Sequence, residues 1–283
     1  MSWRKTRRYR FRGDKRAVSP AISSVILTAA VVVLLLVTVV FANNFLNARM
    51  AENEFSTMKQ FMQTVGLQTD DVAWTIGRTQ TIRYATKFGQ VNFESLALNY
   101  SVYVNDTIFL ANYSTGILLF NMPISRYTMG NNYEERVIPS SDRSFLQKGT
   151  TAPVSHVFVV QQAPMNDGSF IRVVVAPSVR MLNSTITTGG ETKNYFKFYL
   201  PIFSSGTNPR KSQSVTLAGN NVSVDMEGGV NKVKIRVSFP KSGLGFTQGF
   251  FNFEDIEEEV NIPSGSVVEF YSGEVVVSLG LYI

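Results

Sequence analysis

The side chains that could carry out acid, base or nucleophilic chemistry are few. The chain has one histidine, His156, and no cysteine, which rules out two-histidine metal sites, thiolate nucleophiles and disulfides. His156 lies in a predicted strand, on the face that it shares with Phe158 and Val160. No nucleophile motif or phosphate-binding loop accompanies it. We therefore interpret it as a hydrogen-bonded structural histidine, and we expect no catalytic site, metal or cofactor.

A second group of chemically capable side chains is an acidic run near the carboxyl end. Its carboxylates could bind calcium through oxygen, but the run lacks the alternation of acid and glycine that a dedicated calcium loop has. The sequence therefore favours a solvated turn. The members of the run are Glu254, Asp255, Glu257, Glu258 and Glu259.

Asparagine could be modified at five Asn-x-Ser/Thr sequons. A random chain of this composition would hold roughly three, but three of these sequons fall within residues 99 to 114, which makes modification of at least one a reasonable expectation. N-glycosylation also requires the sequons to lie outside the membrane. The candidate asparagines are Asn99, Asn105, Asn112, Asn183 and Asn221.

Positive charge is concentrated at the amino end. The formal net charge is +6, yet residues 1–16 hold eight basic side chains and one acidic one, so the rest of the chain has a net charge of −1. The body of the protein therefore has no overall attraction for nucleic acid. We do not expect a nucleic-acid partner.

An uncharged segment of 32 residues, 17–48, follows the basic cluster. Its centre, Val25 to Ala42, is long enough to span a bilayer, which takes roughly 20 apolar residues. The preceding Lys and Arg residues place the amino end in the cytoplasm and everything after about residue 45 outside. A cleaved secretory signal ending at Val40-Phe41-Ala42 is disfavoured, because signal cores are only about 7 to 15 residues long.

The helix is predicted to continue beyond the apolar segment. Phe55, Met58, Met62 and Val65 recur at spacings of three and four residues, and Gly66 supplies a stop signal. A helix that starts at Ser19 or Pro20 and ends near residue 65 would be roughly 70 Å long.

The remainder of the chain shows the period of two that is typical of half-buried strands. Phe196, Phe198, Leu200 and Ile202 alternate with more polar neighbours, and the same holds for several other segments. We predict an α+β fold in which a long amino-terminal helix precedes an antiparallel β-sandwich-like domain at 91–283. A connector with a short turn and strand occupies 67–90, and a weaker boundary falls near 207–213.

The junction before the apolar helix carries the most specific motif. Basic residues, a small residue, a proline and a long apolar run follow one another in the segment GDKRAVSPAISSVIL, residues 13–27. This order resembles the class III leader of archaeal type IV pilins. The resemblance implies a cytoplasmic leader at 1–17, a transmembrane and stalk helix at 18–66, and cleavage after Ala17, with Lys15 and Arg16 before the cut and Val18 as the new first residue. Bacterial pilins usually have a glutamate at mature position five, where this chain has Ile22.

The resemblance also implies a function and partners. A pilin-like chain would sit in the cell membrane with its β domain outside, and would then associate with copies of itself in a surface filament used for display or adhesion. Its partners would be a prepilin peptidase, an assembly ATPase and a polytopic platform protein. Two alternatives stay open: an uncleaved single-span anchor that presents an extracellular binding module, and a surface hydrolase. The amino terminus of the mature protein discriminates between the pilin and the uncleaved anchor.

Overall fold

The computed structural model describes residues 15–106, 108–161, 169–208 and 212–280. The chain divides into two compact units, Met1–Arg49 and Met50–Ile283. The candidate boundary at 207–213 lies partly outside the described residues, and no division falls there.

Two α-helices, one 3-10 helix (Ser242–Leu244) and eleven strands make up the regular structure of the described residues. Their bounds are α1 Lys15–Ala73, β1 Thr79–Arg83, β2 Gln90–Val104, β3 Ile108–Pro123, β4 Glu134–Ile138, β5 Leu146–Lys148, β6 Ser155–Gln161, β7 Phe170–Pro177, β8 Val179–Thr188, β9 Glu191–Ser205, β10 Ser214–Ser238, α2 Gln248–Phe251 and β11 Glu257–Leu279.

Helix α1 is longer at both ends than the sequence indicated. It begins at Lys15 rather than at Ser19 or Pro20, and it passes Gly66 to end at Ala73. The predicted stop at Gly66 is therefore wrong, and the predicted connector begins inside the helix. A β-carbon on Gly66 would lie 2.6 Å from a methyl group of Val157, and its carbonyl accepts a hydrogen bond of 2.9 Å from the hydroxyl of Ser155. The glycine is explained by the close approach of α1 to β6.

The strands described here form one mixed sheet that does not close. Its order is β4-β6-β7-β3-β2-β10-β11-β9-β8-β5, and β1 pairs with β10. Most neighbours are antiparallel, but β9 runs parallel to β11 and β5 runs parallel to β8. The prediction of a purely antiparallel sheet is wrong for these two pairs. Each of these two pairs joins strands that have other elements between them in the sequence. A local pattern of alternation does not reveal which distant strands pair or in which direction.

The second half of α1 is part of the core of the sheet domain. Phe55, Met58, Met62 and Val65 are buried in one hydrophobic cluster with side chains of β3, β6 and β7. This confirms the amphipathic spacing predicted from the sequence. Burying a side chain of this size contributes about 1.5–3 kcal/mol, so residues 50–73 of the helix are fixed to the sheet by several such contributions.

Strands β6 and β7 are buried on both faces. In β6, Val157 and Val159 belong to the cluster that contains α1, whereas Phe158 and Val160 belong to a second cluster that also includes residues of β9, β10 and β11. A strand that is covered on both faces has apolar side chains at successive positions, which accounts for the apolar sequence of residues 157–160.

Candidate membrane and assembly helix

The amino-terminal half of α1 exposes an apolar surface from Ile22 to Leu46. Every side chain from Ile22 to Leu46 is exposed, and large residues such as Val25 and Phe41 are 68% and 70% exposed. Within the described part of the chain, α1 is the one helix long and apolar enough to cross a membrane. Exposure of so much apolar surface to water costs free energy. The segment is therefore suited to an environment of lipid or of other protein.

The length of this segment matches a bilayer. The 21 residues from Ile22 to Ala42 rise about 31 Å along a helix, and the hydrocarbon core of a membrane is about 30 Å thick. An apolar helix of this kind could anchor the chain in a membrane.

Two hydroxyl groups in the apolar segment are satisfied within the helix itself. Thr28 donates a hydrogen bond of 2.8 Å to the carbonyl of Ser24, and Thr38 donates one of 2.7 Å to the carbonyl of Leu34. Such bonds to the preceding turn let a threonine enter hydrocarbon without an unpaired polar group. Both threonines are therefore compatible with a position that faces lipid.

Glu54 fixes the packed half of α1, residues 50–73, to the loop between β1 and β2. Its carboxylate accepts hydrogen bonds from three consecutive backbone N–H groups, at 2.9 Å from Lys87, 3.1 Å from Phe88 and 2.8 Å from Gly89. Hydrogen bonds to an ionised acceptor are stronger than neutral ones. Sequence reasoning missed this role, because a glutamate between apolar helix positions has the pattern of a solvent-facing residue.

A second polar anchor lies near the carboxyl end of α1. The two carboxylate oxygens of Asp70 each accept a hydrogen bond from the guanidinium of Arg180 on β8, at 2.7 and 3.0 Å. Trp74 donates to the same carboxylate at 2.8 Å, and its ring meets Tyr199 edge-on at 5.1 Å. Two parallel hydrogen bonds fix the orientation of the pair. No short-range signal in the sequence joins positions 70 and 180.

The residues of the predicted leader cleavage lie at the start of α1. Lys15, Arg16, Ala17 and Val18 have helical backbone, whereas residues 1–14 of the leader lie outside the described residues. The predicted scissile bond between Ala17 and Val18 therefore falls within the first turn of a helix.

No protein-family model matches this chain, and it matches no curated protein and no solved structure. The resemblance to archaeal pilins is therefore carried by the leader motif and the apolar helix alone.

His156 lies in an apolar environment on β6. It is fully buried, its ring meets Phe253 edge-on at 5.8 Å, and its Nδ1 is 3.4 Å from the guanidinium of Arg136. Burial, reinforced by the positive charge of Arg136, lowers the pKa of His156 to about 3. The imidazole is therefore neutral at physiological pH and is poorly suited to proton transfer there.

Arg136 has its own structural role beside that histidine. Its guanidinium donates to the carbonyl oxygens of Phe251, at 2.6 Å, and of Asn252, and it lies over the ring of Phe158. Burial lowers the pKa of Arg136 to about 10. Arg136 thus holds α2 and the residue after it against the sheet.

The acidic run is divided between two faces of β11 and the loop before it. Glu257 and Glu259 pair with Lys234 at 3.2 and 3.1 Å, and Glu258 accepts hydrogen bonds from the hydroxyl of Ser144. Glu254 and Asp255 precede the strand and are exposed. Among the described residues, no three His, Asp or Glu side chains meet as a metal site requires. The predicted turn is wrong for residues 257–259, which form ion pairs and hydrogen bonds within a strand.

The five sequon asparagines differ in exposure. Asn112, Asn183 and Asn221 are exposed, whereas Asn99 and Asn105 are partly buried. All five belong to the unit Met50–Ile283, and all lie in or beside strands rather than in long loops.

Proposed function

We propose that this chain is a type IV pilin-like subunit that assembles into a surface filament through the apolar half of α1. The observation that carries the proposal is the composition of that one helix. Residues 22–46 are mostly apolar and all exposed, whereas Phe55, Met58 and Met62 of the same helix belong to the core of a β-rich domain. A filament subunit needs both properties in one helix, because the first part must leave lipid while the second part stays attached to the displayed domain.

The same apolar surface serves two surroundings in this proposal. In the membrane it faces lipid, and after assembly it is buried against the equivalent surface of other copies. In lipid, helices associate through packing rather than through the hydrophobic effect. Once the subunit has been extracted from the membrane, the hydrophobic effect favours burial of the apolar helix surface against other copies. A prepilin peptidase, an assembly ATPase and a platform protein would carry out cleavage and extraction, and the β domain would serve display or adhesion.

A cysteine cross-linking experiment tests self-association. The native chain has no cysteine, so Leu35→Cys places a single thiol in the apolar half of α1. Mild oxidation of sheared surface material is expected to give covalent dimers. The control is Leu67→Cys, which places the thiol at an exposed position in the packed half and is expected to stay monomeric. Sheared material that lacks the chain altogether, with all of it monomeric in the membrane fraction, would contradict the proposal.

An uncleaved, single-span anchor with an extracellular binding domain is the second candidate. Two observations favour it: the predicted scissile bond falls within a helical turn, and Ile22 stands where bacterial pilins usually have a glutamate. In this case the chain would stay in the membrane with its leader attached.

A further inference from the structure

The structure separates the five sequons by what their asparagine side chains do. Three of the carboxamides are engaged in hydrogen bonds. Within the part of the chain that the structure describes, the carboxamides of Asn183 and Asn221 make none. This division is independent of the sequence motif, which is the same at all five positions.

Asn99 and Asn112 belong to two sequons that bond each other across the β2–β3 hairpin. The register places Asn99 opposite Ser114 and Ser101 opposite Asn112. The hydroxyl of Ser114 donates to the carboxamide oxygen of Asn99 at 3.1 Å, and that of Ser101 donates to Asn112 at 3.2 Å. Each sequon thus supplies the hydroxyl that engages the asparagine of the other.

Asn105 has a structural role in the turn that follows β2. Its φ of 50° is left-handed, a conformation that asparagine tolerates better than most residues. Its carboxamide oxygen accepts from the backbone N–H of Asn231 at 2.9 Å, and its nitrogen donates to the carbonyl of Gly229 at 3.4 Å. This side chain ties the hairpin turn to β10.

Asn183 and Asn221 lie on strand segments that have a neighbour on one side. Strand β5 covers β8 at 179–181, so beyond that segment β8 has β9 alone as its described neighbour. Strand β10 pairs with β1 at 214–218 and with β2 at 233–238, so between these segments β11 is its one neighbour among the described strands. A shift of register next to Asn221 loosens the ladder further.

These open edges also carry exposed apolar side chains. Ile186 on β8 is 51% exposed, and Val224 and Met226 on β10 are 51% and 64% exposed. An unprotected edge of this kind invites pairing with another chain, and proteins usually block such edges with charge, proline or a cover. A bulky, water-soluble glycan on the edge would serve the same purpose.

From these observations we propose that Asn183 and Asn221 are the N-glycosylated residues of this protein, while Asn99, Asn105 and Asn112 stay unmodified. The inference rests on the extracellular location in the proposed function. In the transfer, the side-chain nitrogen of asparagine bonds to the anomeric carbon of a polyisoprenyl phosphate- or diphosphate-linked saccharide. The carbon–oxygen bond breaks, the phosphate leaves with the electron pair, and the amide gives up one proton to a base of the transferase.

The free carboxamides suit this chemistry. An amide nitrogen is a weak nucleophile because its lone pair is delocalised into the carbonyl, so the transferase must rotate and hold the carboxamide. A side chain already held by the protein's own hydrogen bonds must first break them. This restriction separates Asn112 from Asn183 and Asn221, because the segment of β3 at Asn112 also has one described neighbour, β2. Asn99 has in addition a neighbouring strand on each side, which resists the distortion that a transferase would need. Asn183 and Asn221 have neither restriction.

Mass spectrometry of peptides from the full chain, isolated from the surface of the cells that make it, tests the assignment. A glycan mass is expected on the peptides with Asn183 and Asn221, at high occupancy. Asn221→Gln should lose the glycan at that position, and Ser223→Thr, which preserves the sequon, should retain it. An unmodified Asn183 or Asn221, or a glycan on any of the other three asparagines, would overturn the assignment.

A labelling experiment separates failure of this inference from failure of the proposed location. Asp255→Cys places one thiol at an exposed position of a chain without cysteine. A maleimide that cannot cross membranes should label it on intact cells. Labelled protein without glycan at Asn183 and Asn221 would overturn the glycan assignment alone, whereas unlabelled protein would overturn the location and the assignment together.

Discussion

The backbone carbonyl of Ala73, at the end of α1, lies against the α-carbon of Gly273 on β11. A β-carbon at position 273 would come within 2.4 Å of that carbonyl oxygen. Gly219 on β10 has the same relationship with Val72 and Thr75, whose carbonyl oxygens would lie 2.5 and 2.4 Å from an added β-carbon. The helix that carries the apolar segment therefore ends in a notch that two glycines make in the sheet.

Gly273→Ala is expected to destabilise the protein by about 1–3 kcal/mol, because a buried backbone carbonyl cannot move aside cheaply. Thermal unfolding of the full chain in detergent, followed by the fluorescence of Trp74 beside the notch, would measure the loss. Gly228→Ala is the matched control, since a β-carbon there has nothing within 4 Å. Equal melting temperatures for the two variants would show that the notch is not needed.

Glu54→Gln is expected to cost about 1–3 kcal/mol, because the neutral amide replaces a charged acceptor of three backbone N–H groups. Hydrogen exchange should speed up at Lys87, Phe88 and Gly89, whose amide hydrogens the carboxylate holds. Glu191→Gln, at an exposed position, should leave exchange at these three amides unchanged. Unaltered exchange in Glu54→Gln would rule out the anchoring role.

Stability is expected to fall in acid through His156. The pKa of this residue is about 3 in the folded protein against 6.5 for an ordinary histidine. Between these values the unfolded chain binds a proton that the native chain does not, so the contribution is complete above pH 6.5 and is lost as pH falls toward 3. The loss is about 2–3 kcal/mol between pH 7 and pH 4.5.

The comparison with His156→Gln isolates this effect, because acidic side chains titrate equally in both proteins. The positive charge of Arg136 and the negative charge of Asp142 also act on the imidazole and are present in both. The stability of the wild type relative to the variant should fall as pH drops from 7 to 4.5. Parallel melting curves across that range would contradict a neutral buried histidine.

Leu35→Arg is expected to reduce membrane insertion, since an arginine at the centre of a spanning helix costs about 2.5–3.5 kcal/mol. The measurable result is a smaller share of the chain in the membrane fraction. Leu67→Arg offers a matched control, because Leu67 is also an exposed leucine of α1 but lies beyond the apolar segment. The same distribution for both variants would mean that residues 22–46 do not span the membrane.

Local patterns in the sequence predicted the elements that local physics determines. The spacing of Phe55, Met58, Met62 and Val65 gave the buried face of α1, and alternation located strands such as β9. The predictions that were wrong concern features that depend on contacts between residues far apart in the sequence. Gly66 marks the close approach of Val157 rather than the end of the helix, and the parallel pairing of β9 with β11 follows from a crossover that neither strand's composition records.

The candidate functional segment was easier to predict than its attachment. An uncharged run of 32 residues predicts a helix long and apolar enough to span a membrane without knowledge of the fold. The anchors of its packed half were not predictable, because Glu54 and Asp70 have partners at Lys87 to Gly89 and at Arg180. Those pairs form only after the chain has folded.

Amino-terminal sequencing of the protein in sheared surface filaments tests the central claim most directly. A pilin-like subunit that keeps its apolar helix should begin at Val18. A chain that retains Met1 in the membrane fraction, or an exported soluble form that begins after Ala42, would contradict it.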